Sequence, residues 1–245
     1  MGCVGWEGAS DEVSGRPGGL PLVVVLPESA RVKSVTQVLR AIERTRPQVV
    51  LPFHETVDPI EVSLVLRRPP PSLPASVSEY LAWRGLRTDQ ATARVIGRIV
   101  ELSENVQTIT ALARSLYMSR RALGRRFMTR TLPVPSHWLH MSRLLRATIR
   151  LQNSESSLFS VACELGYPDG FSLSNQMSRL CGVRPSEVRE RLGWEWVLEA
   201  WLMRERDAGG LVCRGMGGRS SLLAAPARTP ELNPAADSPS VAVSL

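Results

Sequence analysis

The sequence predicts an α+β protein: a small βαβ segment at the amino end, then an all-α domain with two helix–turn–helix units joined by a linker helix. Three observations predict it. Two short apolar runs, "LPLVVVLP" (20–27) and "PQVVLPF" (47–53), bracket an amphipathic stretch, the pattern of parallel strands with a crossover helix. From residue 73 onward the apolar side chains recur at three- and four-residue steps, the helical period. One pair of short helical patterns then returns about fifty residues later.

The elements follow in order. Residues 1–19 are rich in glycine with no apolar period and read as a disordered tail. The α/β segment spans 20–72. Its helix, "SVTQVLRAIERTR" (34–46), carries Val35, Val38, Leu39 and Ile42 on one face and Ser34 as cap. A second helix is expected over 58–68, with Pro59 in its first turn, and "PPPSLP" (69–74) marks the edge of the segment. Connecting helices fill 73–104: "SVSEYLAWRGL" from Ser76, then "TDQATARVIGRIVELS" with Thr88 as N-cap. A helical domain covers 105–206, and 207–245, mostly Gly, Ala, Pro and Ser, reads as a second disordered tail.

Inside 105–206, "TITALARSLYM" places Ile109, Leu112, Ala113 and Leu116 on one face of a short helix. Ser119 then caps a new helix in which Ala122, Leu123 and Phe127 face the core while Arg120, Arg121, Gly124 and Arg125 face out. The second copy, "SLFSVACELGYPDGFSLSNQM", repeats the logic. Leu158, Val161, Ala162 and Leu165 face inward, Gly166 turns the chain, Asp169 caps, and Leu173 and Met177 pack while Ser174, Asn175 and Ser178 face out. Between the copies, Trp138, Met141, Leu144, Leu145 and Leu151 stripe a linker helix beside Arg143, Arg146 and Arg150. Sixteen residues from Ser136 make a rod of about 24 Å, shorter than the roughly 34 Å between successive major-groove faces of straight DNA. The rod is expected to set the spacing of two recognition helices.

Charge points the same way. The chain has 245 residues and a formal charge of +7, and Lys33 is its only lysine. From 112 to 192 there are thirteen arginines against five acids, a net +8, so this region holds all the excess. A polyanion is the partner such a field attracts. Arg121 and Arg125 are the candidates for guanine edges, Asn175 for adenine, and Ser174 for a base, with a phosphate as its alternative; Arg120, Arg126 and Arg146 are the candidates for phosphates.

The stretch from Ile109 to Leu192 resembles the double helix–turn–helix domain of the AraC/XylS family of bacterial transcription regulators. "LARSLYMSRRALGRRF" matches the first unit at Ala113, Ser119, Leu123, Arg125 and Phe127, and "GVRPSEVRE" closes the second with Gly182, Pro185 and Arg189. Departures are Leu132 for a turn glycine, Val188 for an aromatic, Asn175 for an arginine and Met177 for a phenylalanine. The resemblance implies a cytoplasmic, sequence-specific transcription factor whose partner is double-stranded DNA, with RNA polymerase or a second copy of the chain as protein partners. The α/β segment loosely resembles part of a receiver domain, but Pro52 or Phe53 stands at the phosphoacceptor position and only Glu28 stands where a pair of acids would hold magnesium, so phosphorylation is not expected.

Other classes find less support. No nucleophile–base pair, carboxylate pair or Gly-rich phosphate loop is seen, so neither an enzyme nor a cofactor is expected. Cys3, Cys163, Cys181 and Cys213 lack metal or redox spacing, and an alkyltransferase would need one of them activated. His137 and His140 lie three apart without a third ligand, so no metal is expected. No apolar run reaches the roughly 18 residues of a membrane span, and the opening "MGCVGW" lacks the Ser or Thr of an acylation signal. "GWEWVLEAWL" (193–202) reads as a final packing helix, with a dimer surface as its functional alternative. The rival from another class is a protein-interaction module that keeps the fold but binds DNA weakly or without specificity.

Overall fold

In a computed structural model, residues 13, 15–17, 20–26, 35–51, 59–86, 88–190 and 193–211 are described. The expected caps at Ser34 and acids at Glu28, with Pro52 and Phe53, lie outside them, as does most of the second tail.

The amino-terminal segment is a small α/β unit: β1 (Val23–Val25), α1 (Val35–Thr45), β2 (Val49–Leu51) and α2 (Pro59–Leu66). The strands pair in parallel, with Val23 beside Val49, Val24 beside Val50 and Val25 beside Leu51. They are shorter than the proline-bounded apolar runs that encode them. Arg16, inside the stretch expected to be a loose tail, is tied down. Its guanidinium donates to the carbonyls of Leu20 (3.0 Å) and Thr45 (2.6 Å), tying the approach to β1 to the end of α1.

The rest is helical: α3 (Leu73–Trp83), α4 (Gln90–Leu102), α5 (Ile109–Ser115), α6 (Arg120–Met128), α7 (Pro135–Asn153), α8 (Leu158–Glu164), α9 (Gly170–Cys181), α10 (Pro185–Glu190) and α11 (Glu195–Asp207). Two helix starts show why boundaries differ from the sequence reading. Helix α3 starts at Leu73, three residues before the expected Ser76, because Ser72 caps it and Pro74 is tolerated in a first turn that needs no N–H. Asp89, not Thr88, caps α4; its carboxylate accepts from the Thr92 N–H (2.9 Å) and hydroxyl (2.8 Å).

Helix α7 is the axle of one continuous core. Trp138 meets Phe127 of α6 on one side and Trp201 of α11 on another, both edge to face, with ring centres 6.5 and 4.7 Å apart. Aromatic pairs of this geometry add to their area burial. Trp194 and Trp201 are buried and Trp196 partly so, which makes "GWEWVLEAWL" a packing helix. Its Glu199 is buried, accepting from the Tyr80 hydroxyl (2.8 Å) and pairing with the Arg84 guanidinium, so α11 is latched to α3. Both ends of the helical domain are thereby fixed around the rod.

Candidate nucleic-acid interface

The two units repeat at the level of single hydrogen bonds. Thr108 caps α5 by accepting from Ala111 N (3.2 Å), and Ser157 caps α8 by accepting from Ser160 N (3.1 Å). Each first helix ends in a left-handed residue, Tyr117 (φ 53°) or Gly166 (φ 72°). The next N–H returns to the same place in each: Met118 to the Ala113 carbonyl and Tyr167 to that of Ala162, both at 2.9 Å. Ser119 then caps α6 through Ala122 N (3.1 Å), and Asp169 caps α9 through Ser172 N (2.6 Å). That contact holds the Asp169 carboxyl below its ordinary range. The second turn is longer by one residue, Pro168.

Packing repeats as well. Leu123 and Phe127 in α6 correspond to Leu173 and Met177 in α9, all with no exposed surface. Pro135 and Pro185 open the next helices, and Trp138 and Val188 are buried three residues later. Ala122, expected to face the core, is exposed. With Leu123 and Phe127 fixing the inward direction, a residue one step before Leu123 is rotated about 100° away. Leu132 is buried where a glycine was expected, and the left-handed residue moves one place back to Thr131 (φ 50°).

Arg120, Arg121 and Arg125 are exposed on α6 and Arg126 is half-buried. Arg121, Arg125 and Arg126 line a shallow hollow with Met118 and Ala122. On α9, Asn175 is exposed and Ser174 half-buried. Arg121 and Arg125 lie four apart, so they share one helix face. Gly124 sits between them, and a Cβ there would meet nothing within 4 Å, which leaves the outer face of α6 open to close approach.

Other arginines face inward. Arg146 is half-buried: its guanidinium donates to Ser103 Oγ (3.0 Å) and the Val100 carbonyl (3.0 Å) and lies 3.4 Å from Glu104. Arg143, counted by sequence with the surface charge, is buried. It donates to the Leu165 carbonyl (2.6 Å) and lies 4.2 Å over the Tyr167 ring, joining the rod to the second turn. Arg130, which sequence reading left aside, pairs with Asp89 and ties α6 to α4. No local pattern marks that contact, since its partners lie 41 residues apart.

The remaining candidates take structural places. His137 Nδ1 lies 2.7 Å from Glu205, and among the described residues no group of three His, Cys, Asp or Glu stands together. Burial, with Arg143 and Arg179 nearby, holds His140 below its ordinary value. Cys181 is buried 3.6 Å from Met141 Sδ, and burial pushes its thiol up to about 12. Cys163 is exposed.

A family profile described as a helix-turn-helix domain matches residues 112–191, from within α5 to just past α10. The raffinose operon transcriptional regulatory protein RafR of Pediococcus pentosaceus is 36% identical over 95 residues, which is 38% of this chain and 34% of that protein. The chain carries an AraC-type helix-turn-helix domain. It spans about a third of the length of this curated relative.

Within the AraC-type domain, the closing motif is architectural. Gly182 ends α9 in the left-handed region (φ 72°). Arg189 reaches back to the carbonyls of Leu151 and Ser156, holding the carboxy end of α7. Gln152 donates to the carbonyls of Val188 (3.1 Å) and Gly193 (3.3 Å), so the site of the missing aromatic is still stitched to the rod. Among the described residues no helix is long and apolar enough to cross a membrane.

Proposed function

We propose that this chain is a cytoplasmic, sequence-specific DNA-binding transcription regulator, not an enzyme, that reads the major groove with α6 and α9. The observation that carries the reading is the repeat of cap, left-handed turn and buried anchors, which gives both helices the same seat while leaving their outer faces, Phe171 apart, polar. Arg121 and Arg125 are assigned to guanine edges, Asn175 to adenine, and Ser174 to a base. Arg120 and Arg126 serve phosphates. Arg146 is assigned to bracing α7 on α4, since its donors are engaged there. From the relative's name only the class of regulator is taken. RNA polymerase and a second copy of the chain are the protein partners this reading allows.

Selection of sites from random DNA, followed by footprinting, tests it. The expected outcome is two half-patterns about one helical turn apart. Arg125→Ala should relax preference at one base position by about 1–3 kcal/mol. Equal loss on every sequence makes it a phosphate contact. A protein-interaction module would show neither half-pattern nor the steep salt dependence that released counterions impose.

A further inference from the structure

The internal repeat gives every outward position of α6 a counterpart on α9. With Ser119 matched to Asp169 as caps, and Leu123 and Phe127 matched to Leu173 and Met177 as buried anchors, Arg125 corresponds to Asn175 and Arg121 to Phe171. Phe171 is 74% exposed, in the first turn of α9, four residues before Asn175 and therefore on the same face. Its backbone is not free to retreat. A Cβ on the preceding Gly170 would already meet Leu158 Cγ at 3.2 Å and the Phe159 nitrogen at 3.5 Å, so α9 begins tight against α8.

A phenyl ring held out on a polar helix face carries apolar surface that gains only when something removes it from water. In the major groove one base feature is apolar, the C5 methyl of thymine. We propose that Phe171 is a specificity-determining residue that packs on a thymine methyl in the half-site under α9. This rests on the reading of α6 and α9 as recognition helices, and it gives α9 an apolar contact where α6 offers a guanidinium. The two half-sites then differ in kind: guanine-centred under α6, thymine and adenine under α9.

The test uses the full chain on its selected site. Each thymine of the half-site is replaced in turn by deoxyuridine, which keeps pairing and removes only the methyl. At one position the wild type should lose on the order of four-fold in affinity, the worth of one methyl group. Phe171→Ala should bind the thymine and deoxyuridine versions equally, and Phe171→Leu should keep part of the discrimination. The exposure of the side chain makes both variants safe for folding, checked by circular dichroism. A flat thymine scan on a selected site overturns the assignment alone, as does a Phe171→Ala variant that keeps the discrimination. A variant that binds DNA as the wild type does but loses transcription in a reporter places Phe171 on a protein partner and likewise overturns it. A chain that selects no sequence overturns the reading of both recognition helices, and this assignment with it.

Discussion

Glu199 shows how a single residue can hold distant parts of the chain together. It sits between Tyr80 and Arg84 at a separation of more than a hundred residues, with all three groups buried. Removing the carboxylate breaks a buried ion pair, a change that typically costs about 3–5 kcal/mol. Glu199→Ala should therefore lower the unfolding free energy by that order, measured by urea titration. Its neighbour one turn earlier behaves differently. Burial pushes the Glu195 carboxyl up to about 7, from an ordinary value of about 4.3. The folded state then binds more protons than the unfolded one between those values, so stability falls as pH rises through that window and is level above it. Glu195→Gln should flatten the profile and raise stability at pH 8 by about 1–3 kcal/mol, read from thermal midpoints against pH. Neither role is legible in the sequence, where both glutamates read as the polar side of a tryptophan-rich helix.

At the scale of elements, the second unit can take a glycine where the first takes a tyrosine, and that contrast is testable. Gly166 has φ 72°, and a Cβ there would collide with the Gln107 side chain at 1.7 Å. Gly124 is the reverse case, helical and with nothing within 4 Å of an added Cβ. Gly166→Ala should cost about 1–2 kcal/mol from the left-handed backbone alone, whereas Gly124→Ala should stabilise by about 0.5–1 kcal/mol. If α6 lies against DNA, the added methyl at 124 should weaken binding while the melting temperature rises. The elements were largely legible because caps and periodicity are local: Ser119, Asp169, Gly166 and the buried Leu173 and Met177 stand where the pattern puts them. Structure and pattern part where a neighbouring residue competes for the same local role. Asp89 outbids Thr88 as a cap with a stronger acceptor, and Ser72 starts α3 inside a proline run that reads as a stop. Ala122 was misplaced for another reason, since a small residue carries no preference for either face.

At the scale of the whole molecule, legibility declines because contacts between distant segments leave no periodic trace. Thirteen arginines between 112 and 192 announce a polyanion, but sequence cannot sort Arg121 and Arg125, which face out, from Arg143, which is turned under Tyr167, or Arg189, which holds the end of α7. The parallel βαβ order of the amino-terminal segment was legible from its two valine runs. The rod length is the global quantity that matters most for the proposed function. Helix α7 has 19 residues, three more than its apolar stripe suggested, which makes it about 28 Å long. The α6 unit enters it at one end and the α8–α9 unit leaves from the other, each fastened by buried contacts: Phe127 on Trp138, and Arg143 on Leu165 and Tyr167. In the proposed reading the rod sets the spacing of the two recognition helices, and it is shorter than the roughly 34 Å that separates successive major-groove faces on straight DNA. On that reading the duplex bends toward the protein, and smooth bending over 20–30 base pairs costs of order 1–6 kcal/mol, within reach of two recognition helices. A gel-shift phasing assay should therefore show a bend toward the protein centred between the half-patterns. Sites with a flexible pyrimidine–purine step at that centre should bind more tightly than sites with a stiff A-tract. Straight DNA in the phasing assay, with both half-patterns protected, would mean that the two helices do not sit at the ends of a rigid rod.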